Sequence, residues 1–163
     1  MKIKFSYYFI YIYFLIYLII GFNIYKNYGI NIEEHLQRWS GLYWLDYTLG
    51  FTNWEELKRI VELKLDQASD PYLPDIKTYG IFFDLPVAFV EAFFNIKTSK
   101  TYFELRHLLN FLIFYLSSIY FFKIINLRFN RLDISLISTS FYIISPRIFG
   151  DSFHNNKDIL FLS

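Results

Sequence analysis

The first apolar run of the chain begins almost at once and is long enough to cross a membrane. Residues 5–22 hold 18 positions without a charge, enough for roughly 27 Å of helix at about 1.5 Å per residue. Lys2 and Lys4 precede the run, and basic residues favour the cytoplasmic side of a span. A cleaved signal peptide is the alternative, but it would have a shorter apolar region and a small-residue cleavage site. The pattern therefore predicts a retained anchor, with the following residues outside.

Two further apolar runs predict spans at residues 105–125 and 132–148. The first of them has Arg106 and His107 at its start and Lys123 near its end, as expected where a helix meets the two membrane surfaces. The second is short, rich in hydroxyl groups and broken by a proline. Together with the anchor, these runs predict an all-α polytopic membrane protein with about three transmembrane helices in a single membrane domain.

The apolar run at residues 79–96 is interrupted by Asp84, Pro86 and Glu91. An ionised carboxylate at the centre of a bilayer is costly. A crossing at this point would also move the basic cluster after residue 122 to the outer side, against the positive-inside tendency. We therefore predict a helix half-immersed in the outer leaflet, with a full crossing as the alternative that reverses the side of every later segment.

The segment before that helix, within an outer loop at residues 23–104, is predicted to form amphipathic helices along the membrane surface. Asn31 with Glu34 three residues later has the spacing of a capping box, and Asn53 with Glu56 repeats it. Tryptophan and tyrosine residues follow along the first of these helices, and such residues are enriched where hydrocarbon meets water.

Composition limits the functions that the chain can perform. Of its 163 residues, 55% are hydrophobic and 23% aromatic, and its net charge is +1, so there is no electrostatic case for nucleic acid as a partner. The absence of cysteine excludes disulfides and thiolate metal sites. The three histidines are too scattered for a metal motif and are expected at the surface or an interface. Because the chain stops at Ser163 in what resembles the start of an apolar helix, we expect an N-terminal fragment that is inactive alone.

Four short motifs, in order along the chain, resemble membrane glycosyltransferases of the GT-C architecture. The most similar group is that of the protein O-mannosyltransferases and aminoarabinose transferases. In these enzymes an Asp-Glu pair follows the first span, a Lys-Pro or Pro-Pro segment precedes a half-immersed helix, an arginine begins the next span and an aspartate follows the third. The matching positions are Glu33-Glu34, Lys77 in Asp75-Ile76-Lys77, Arg106 in Tyr102-Phe103-Glu104-Leu105-Arg106, and Asp158 in the segment from Arg147 to Asp158. The chain departs from the pattern in having Glu-Glu for the acidic pair and Thr78-Tyr79-Gly80 in place of the prolines.

The resemblance implies transfer of a sugar from a polyprenyl-phosphate donor, at the outer (periplasmic) face of an inner or plasma membrane. A carboxylate would take the proton of the acceptor hydroxyl as it attacks the anomeric carbon. Glu33 is the expected base, and Glu34 either its partner or the ligand of a divalent cation. Lys77 and Arg106 are the expected phosphate-binding cations, and Asp158 completes the substrate site. The sugar and the acceptor remain unassigned.

Each of these residues also has a purely structural interpretation. Glu34 would cap the helix that begins at Asn31, Lys77 would be an ordinary interface lysine, and Arg106 would extend from a span end to the membrane surface. Asn156 would cap a helix with Asp158 in its first turn. The corresponding alternative function is a non-catalytic polytopic membrane protein, such as a transport or scaffold subunit.

Overall fold

The computed structural model describes residues 2–50, 81–96 and 98–163, and nearly all of these residues are helical. Helices account for 89% of them and none lies in a strand, which confirms the predicted all-α class for this part of the chain. The helices are α1 (Lys2–Ile24), a 3-10 turn (Tyr25–Asn27), α2 (Ile32–Leu49), α3 (Ile81–Phe93), α4 (Ser99–Phe129), α5 (Leu132–Ile144), α6 (Pro146–His154) and α7 (Asn156–Leu162).

The chain divides into two compact units. Unit 1 comprises Met1–Gly29 and Phe103–Ser163, and unit 2 comprises Ile30–Tyr102. Unit 1 therefore contains α1, most of α4 and the three helices after it, whereas unit 2 contains α2, α3 and the first turn of α4.

Among the described residues, two helical segments are long and apolar enough to cross a membrane. They are Tyr8–Asn27, which includes most of α1, and Ser99–Phe129, which is α4. They contain most of the predicted span 5–22 and all of the predicted span 105–125. Only 17% and 33% of their apolar windows are buried within the protein, so most of the apolar side chains on these helices face outwards, as a lipid environment requires.

The third predicted span, 132–148, is not formed as a single helix. α5 ends at Ile144, Ser145 has a ψ angle of 116°, and Pro146 begins α6. Proline disfavours a helical conformation in the residue before it and has no N–H for the helix ladder. With 13 residues, α5 extends only about 20 Å at about 1.5 Å per residue.

Unit 1 is packed around aromatic side chains. The rings of Phe111 and Phe153 stack in parallel with centroids 5.2 Å apart, and Tyr17 meets Phe111 edge-on at 5.5 Å. Both phenylalanines are completely buried. Gly21 in α1 faces the Phe111 ring so closely that a Cβ atom there would overlap it. The helices of this unit therefore contact one another through aromatic rings, and the ring of Phe111 packs against a glycine.

The polar residues of α5 are used within unit 1. The Tyr13 hydroxyl and Ser140 Oγ lie 3.0 Å apart, which joins α1 to α5. Ser117 Oγ and the Tyr142 hydroxyl lie 3.1 Å apart, which joins α4 to α5. These pairs satisfy hydroxyl groups that would be costly to leave unpaired among apolar side chains.

Candidate functional site

The predicted acidic pair lies in the first turn of α2. Asn31 precedes the helix with an extended backbone, and its N–H donates to Glu34 Oε1 at 3.1 Å. The Glu34 N–H donates in turn to the Asn31 carbonyl at 3.1 Å. The Asn31 side chain also accepts the Glu34 N–H, so the predicted capping box is formed. It satisfies donors that the start of a helix would otherwise leave unpaired.

The two adjacent carboxylates have different environments. Glu34 is 2% exposed and takes part in the cap, whereas Glu33 is exposed. Both lie at a helix N-terminus, where the aligned peptide dipoles favour negative charge. Of the two, Glu33 is the side chain that a molecule in solution can approach.

A buried ion pair holds α2 against α3. Arg38 Nε lies 3.1 Å from both carboxylate oxygens of Glu91, and Arg38 Nη2 also donates to Glu91 Oε1. Glu91 is 1% exposed and the Arg38 side chain 14%. The face of the Tyr102 ring lies 3.6 Å from the Arg38 guanidinium carbon. A bidentate contact and a cation–π contact offset the desolvation of these charges.

The Arg38–Glu91–Tyr102 cluster corrects the sequence argument about Glu91. The cost of an ionised carboxylate at the bilayer centre was expected to keep residues 79–96 from crossing the membrane, but Glu91 is neutralised by an arginine 53 residues away. No role was predicted for Arg38, because its neighbours in a Trp- and Gln-containing helix give no indication of a distant partner. Evidence for a partial insertion of α3 into the membrane therefore has to come from the side chains that α3 exposes.

The contact between α2 and α3 is also close at the backbone. A Cβ atom at Gly41 would overlap the carbonyl of Asp84. Beside this contact, Leu42 and Leu45 of α2 pack with Ala88 of α3. Small residues allow two helix backbones to approach in this way. From its second turn onwards, α2 is thus packed closely against α3.

Two of the other predicted site residues belong to unit 1, whereas Glu33 belongs to unit 2. Arg106 lies on α4 in unit 1, where it is 4% exposed and already has contacts within the protein. Asp158 lies on α7 in unit 1 and is exposed. Lys77 and the predicted second amphipathic helix lie outside the described residues. The grouping of these residues with Glu33 in one substrate site therefore stays a prediction.

Asp158 takes part in a helix cap, one residue away from the predicted arrangement. Asn155, and not Asn156, precedes α7, and its Oδ1 accepts the Asp158 N–H at 3.2 Å. The Asn155 side-chain amide also donates to Asp158 Oδ2 at 2.8 Å. Asn156 is instead a buried residue in the first turn. Asp158 remains accessible to a ligand, because the side chain is exposed.

His107 is buried, contrary to its predicted surface or interface position. It is 3% exposed, and its Nδ1 lies 3.3 Å from the Tyr25 carbonyl oxygen. Its neighbour along α4, Asn110, donates its amide to the Asp151 carbonyl at 3.3 Å. These contacts attach the start of α4 to the turn after α1 and to α6, so His107 and Asn110 have structural roles.

Tyr28 packs against the same end of unit 1. Its ring stacks on Phe153 with centroids 4.4 Å apart and on His154 at 6.1 Å. His154 Nε2 lies 3.7 Å from Asp151 Oδ1. Burial raises the pKa of the Tyr28 phenol, so this group is un-ionised at neutral pH and acts as an aromatic packing surface.

No group of three or more His, Cys, Asp or Glu side chains within residues 2–50, 81–96 and 98–163 is arranged to hold a metal ion. Comparison with known proteins gives no further assignment, because no protein-family model, curated protein or solved structure matches the chain.

Proposed function

We propose that this chain contributes the catalytic carboxylate of an integral-membrane glycosyltransferase that uses a polyprenyl-phosphate sugar at the outer face of the membrane. The observation that supports the proposal most strongly is the pairing of an exposed Glu33 with a buried, hydrogen-bonded Glu34. A general base must be both accessible and held in position, and the two adjacent residues divide these tasks.

Glu33 is the proposed base. It accepts the proton of the acceptor hydroxyl while that oxygen bonds to the anomeric carbon of the sugar. The bond between this carbon and the phosphate oxygen breaks, and the polyprenyl phosphate leaves with the bonding electrons. The transfer needs no reactant other than the sugar donor and the acceptor.

Glu34 is proposed to position Glu33, because its carboxylate accepts the Asn31 N–H and is almost completely buried. The cap holds the first turn of α2, and the Arg38–Glu91 ion pair holds the next turn against α3. A base fixed in this way approaches its substrate with little reorganisation.

Lys77, Arg106 and Asp158 are the proposed substrate-binding residues. The positive charges of Lys77 and Arg106 would stabilise the phosphate as charge develops on it. A phosphate has to compete with the contacts that Arg106 already makes. The exposed Asp158 carboxylate is suited to accept hydrogen bonds from sugar hydroxyl groups.

The proposal is tested with Glu33→Gln in the full-length protein reconstituted in vesicles. The substrates are polyprenyl-phosphate mannose and polyprenyl-phosphate aminoarabinose with radiolabelled sugars, incubated with an extract of acceptors. Glutamine keeps the size and hydrogen-bonding capacity of the side chain but cannot take the proton. We expect transfer to fall by about 10²–10⁴-fold, the usual contribution of a general base.

Glu55→Gln is the matched control, because Glu55 stands in the second Asn-x-Glu-Glu motif of the chain. It should leave transfer unchanged, and both variants should insert into membranes as the parent does. Equal transfer by the two variants would exclude Glu33 as the base. A parent protein with no transfer from either donor would leave the non-catalytic alternative as the better description.

A further inference from the structure

Unit 1 has an open groove between α1 and α5. Apolar side chains form its walls, with Phe9 on α1 and Leu136, Ile137, Phe141 and Ile144 on α5; we call it the α1–α5 groove. Its volume is about 490 Å³. Phe9 is 55% exposed, Phe141 76% and Ile144 71%. The described residues of unit 1 therefore leave this apolar surface exposed, and such a surface marks a binding site.

The polar groups of the groove are paired with each other. The Tyr13 hydroxyl and Ser140 Oγ, which also line it, lie 3.0 Å apart. Because their hydrogen bond leaves little unsatisfied polar surface, a hydrocarbon chain can lie against the pair at small cost. A site for a polar small molecule would instead direct unpaired polar groups into the groove.

α1 places the groove at membrane depth. It contains most of the segment Tyr8–Asn27, which is long and apolar enough to cross a bilayer, and Phe9 and Tyr13 lie in the first half of that segment. An empty apolar space forfeits van der Waals contacts, and hydrocarbon surrounds a span on every side that protein does not cover. In a membrane the groove is therefore filled either by lipid chains or by another protein segment.

The dimensions of the groove favour lipid chains. From Leu136 to Ile144 it extends about 12 Å along α5, at about 1.5 Å per residue. A helix of this length with a diameter of about 10 Å occupies roughly 900 Å³, which is nearly twice the volume of the groove. A helix can therefore cover the groove but cannot enter it, whereas the thin and flexible acyl chains of a phospholipid can.

The contacts within unit 1 show that α1 and α5 run in the same direction. α1 is antiparallel to α4, since Phe14 meets Phe122 while Tyr17, further along α1, meets Phe111. α5 follows α4 after two residues and folds back against it. The N-terminal ends of α1 and α5 and the C-terminal end of α4 therefore lie at the same end of unit 1.

This end of unit 1 is basic. Residues 2–4 and 123–133 contain one acidic residue, Asp133, and five basic residues, which are Lys2, Lys4, Lys123, Arg128 and Arg131. Asp133 is paired with Arg131, whereas Arg128 is exposed in the last turn of α4. The groove begins at Leu136, about 8 Å along the helix axis from Arg131. A headgroup phosphate at this end can therefore contact basic residues while its acyl chains enter the groove.

We infer that the α1–α5 groove binds an anionic phospholipid, whose acyl chains lie against the apolar walls and whose phosphate lies at the basic end of unit 1. The positive-inside tendency assigns this end, and with it the lipid, to the cytoplasmic leaflet. The lipid is thus expected on the opposite side of the membrane from the proposed sugar transfer. The inference requires that unit 1 lies in a membrane, and it holds whether or not the chain transfers sugars.

The test maps lipid contacts by photo-crosslinking. The full chain is reconstituted in phosphatidylcholine vesicles with a small fraction of phosphatidylglycerol that carries a diazirine in the middle of one acyl chain. A parallel sample carries the same diazirine on phosphatidylcholine. After illumination, proteolysis and mass spectrometry identify the labelled residues. Leu116 and Tyr120 of α4 are the reference, because they are 54% and 62% exposed and each adjoins a residue that contacts Tyr142 of α5.

We expect phosphatidylglycerol to label Ile137 and Phe141 several-fold more than the reference residues, and phosphatidylcholine to show a smaller difference. Equal labelling of the groove and the reference by phosphatidylglycerol would show ordinary contact with the bilayer. An equal preference of both lipids for the groove would show that charge has no role. Weak labelling of the groove by both lipids would show that protein covers it. Each of these three results would overturn the inference.

Two substitutions test the position of the headgroup. Arg128→Gln should lower the labelling of the groove by phosphatidylglycerol by about fivefold, the contribution of one basic residue near an anionic surface, and leave labelling by phosphatidylcholine unchanged. Arg147→Gln is the matched control, because Arg147 is 88% exposed and lies on α6, which follows the other end of α5. It should change neither. Equal labelling in the two variants would overturn the assignment of the phosphate to the basic end. Both arginines are exposed, so neither substitution should disturb the packing of unit 1.

Discussion

In unit 2, α2 and α3 meet through a buried ion pair and a backbone contact at a glycine, whereas the helices of unit 1 meet through stacked rings and paired hydroxyl groups. The ion pair joins residues 53 positions apart and includes a carboxylate that is 1% exposed. The hydroxyl pair of Tyr13 and Ser140 is neutral and joins α1 to α5. Buried charges depend on one particular partner, while neutral hydroxyl groups lose less when a partner is removed. The two units should therefore differ in their tolerance of single substitutions.

The largest expected effect is that of Arg38→Ala in unit 2. The substitution leaves the Glu91 carboxylate buried without its counter-charge, which typically costs about 3–5 kcal/mol of unfolding free energy. Equilibrium titration with a denaturing detergent, followed by circular dichroism, measures the change. The double variant Arg38→Met, Glu91→Leu should recover most of the loss, because it removes both charges. A cost for Arg38→Ala below about 1 kcal/mol, as for exposed pairs, would contradict the distinction between the units.

An intermediate loss of unfolding free energy is expected for Gly41→Ala in unit 2, and it is compared with the loss for Gly21→Ala in unit 1. The added methyl group would overlap the Asp84 backbone, and such overpacking costs about 1–3 kcal/mol. Gly21→Ala in unit 1 should cost less, since it meets the Phe111 side chain, which can move more easily than a backbone. Gly150→Ala is the control: no atom lies within 4 Å of the added methyl, and alanine should stabilise α6 by about 0.5–1 kcal/mol. The same titration compares the three variants, and a larger cost at Gly21 than at Gly41 would reverse the order.

The smallest expected effect is that of Tyr13→Phe, which removes one hydroxyl of the pair with Ser140. Loss of a neutral hydrogen bond typically costs about 0.5–1.5 kcal/mol. Tyr11→Phe is the matched control on α1, because Tyr11 is 72% exposed, and it should leave the unfolding free energy unchanged. If Tyr13→Phe were as damaging as Arg38→Ala, unit 1 would depend on its polar contacts as strongly as unit 2.

Local sequence patterns predicted the elements whose contacts lie within a few residues. The capping box needs only Asn31 and Glu34, three positions apart, and it is formed. Apolar runs of sufficient length likewise predicted the two described helices that are apolar enough to cross a membrane. Both depend on backbone hydrogen bonding and hydrophobicity over short distances, which a single sequence displays directly.

Features that depend on distant partners were missed or misplaced. The pairing of Glu91 with Arg38 was not predicted, because the two residues are remote in the sequence. His107 was expected at a surface or an interface, but it is buried and contacts the turn after α1. The cap of α7 was displaced by one residue because Asn155 and Asn156 are adjacent candidates for it. The predicted grouping of Lys77, Arg106 and Asp158 with Glu33 depends on tertiary contacts of the same kind. It stays a prediction.

The separation of Arg38 from Glu91 has a consequence for biosynthesis. At a translation rate of about 5–20 residues per second, the 53 intervening positions take about 3–10 s to synthesise. The arginine is therefore synthesised seconds before its carboxylate exists. Until then, the nascent α2 has its own capping box to start the helix but lacks the contact with Glu91. Synthesis of α3 then supplies the Glu91 carboxylate as the counter-charge.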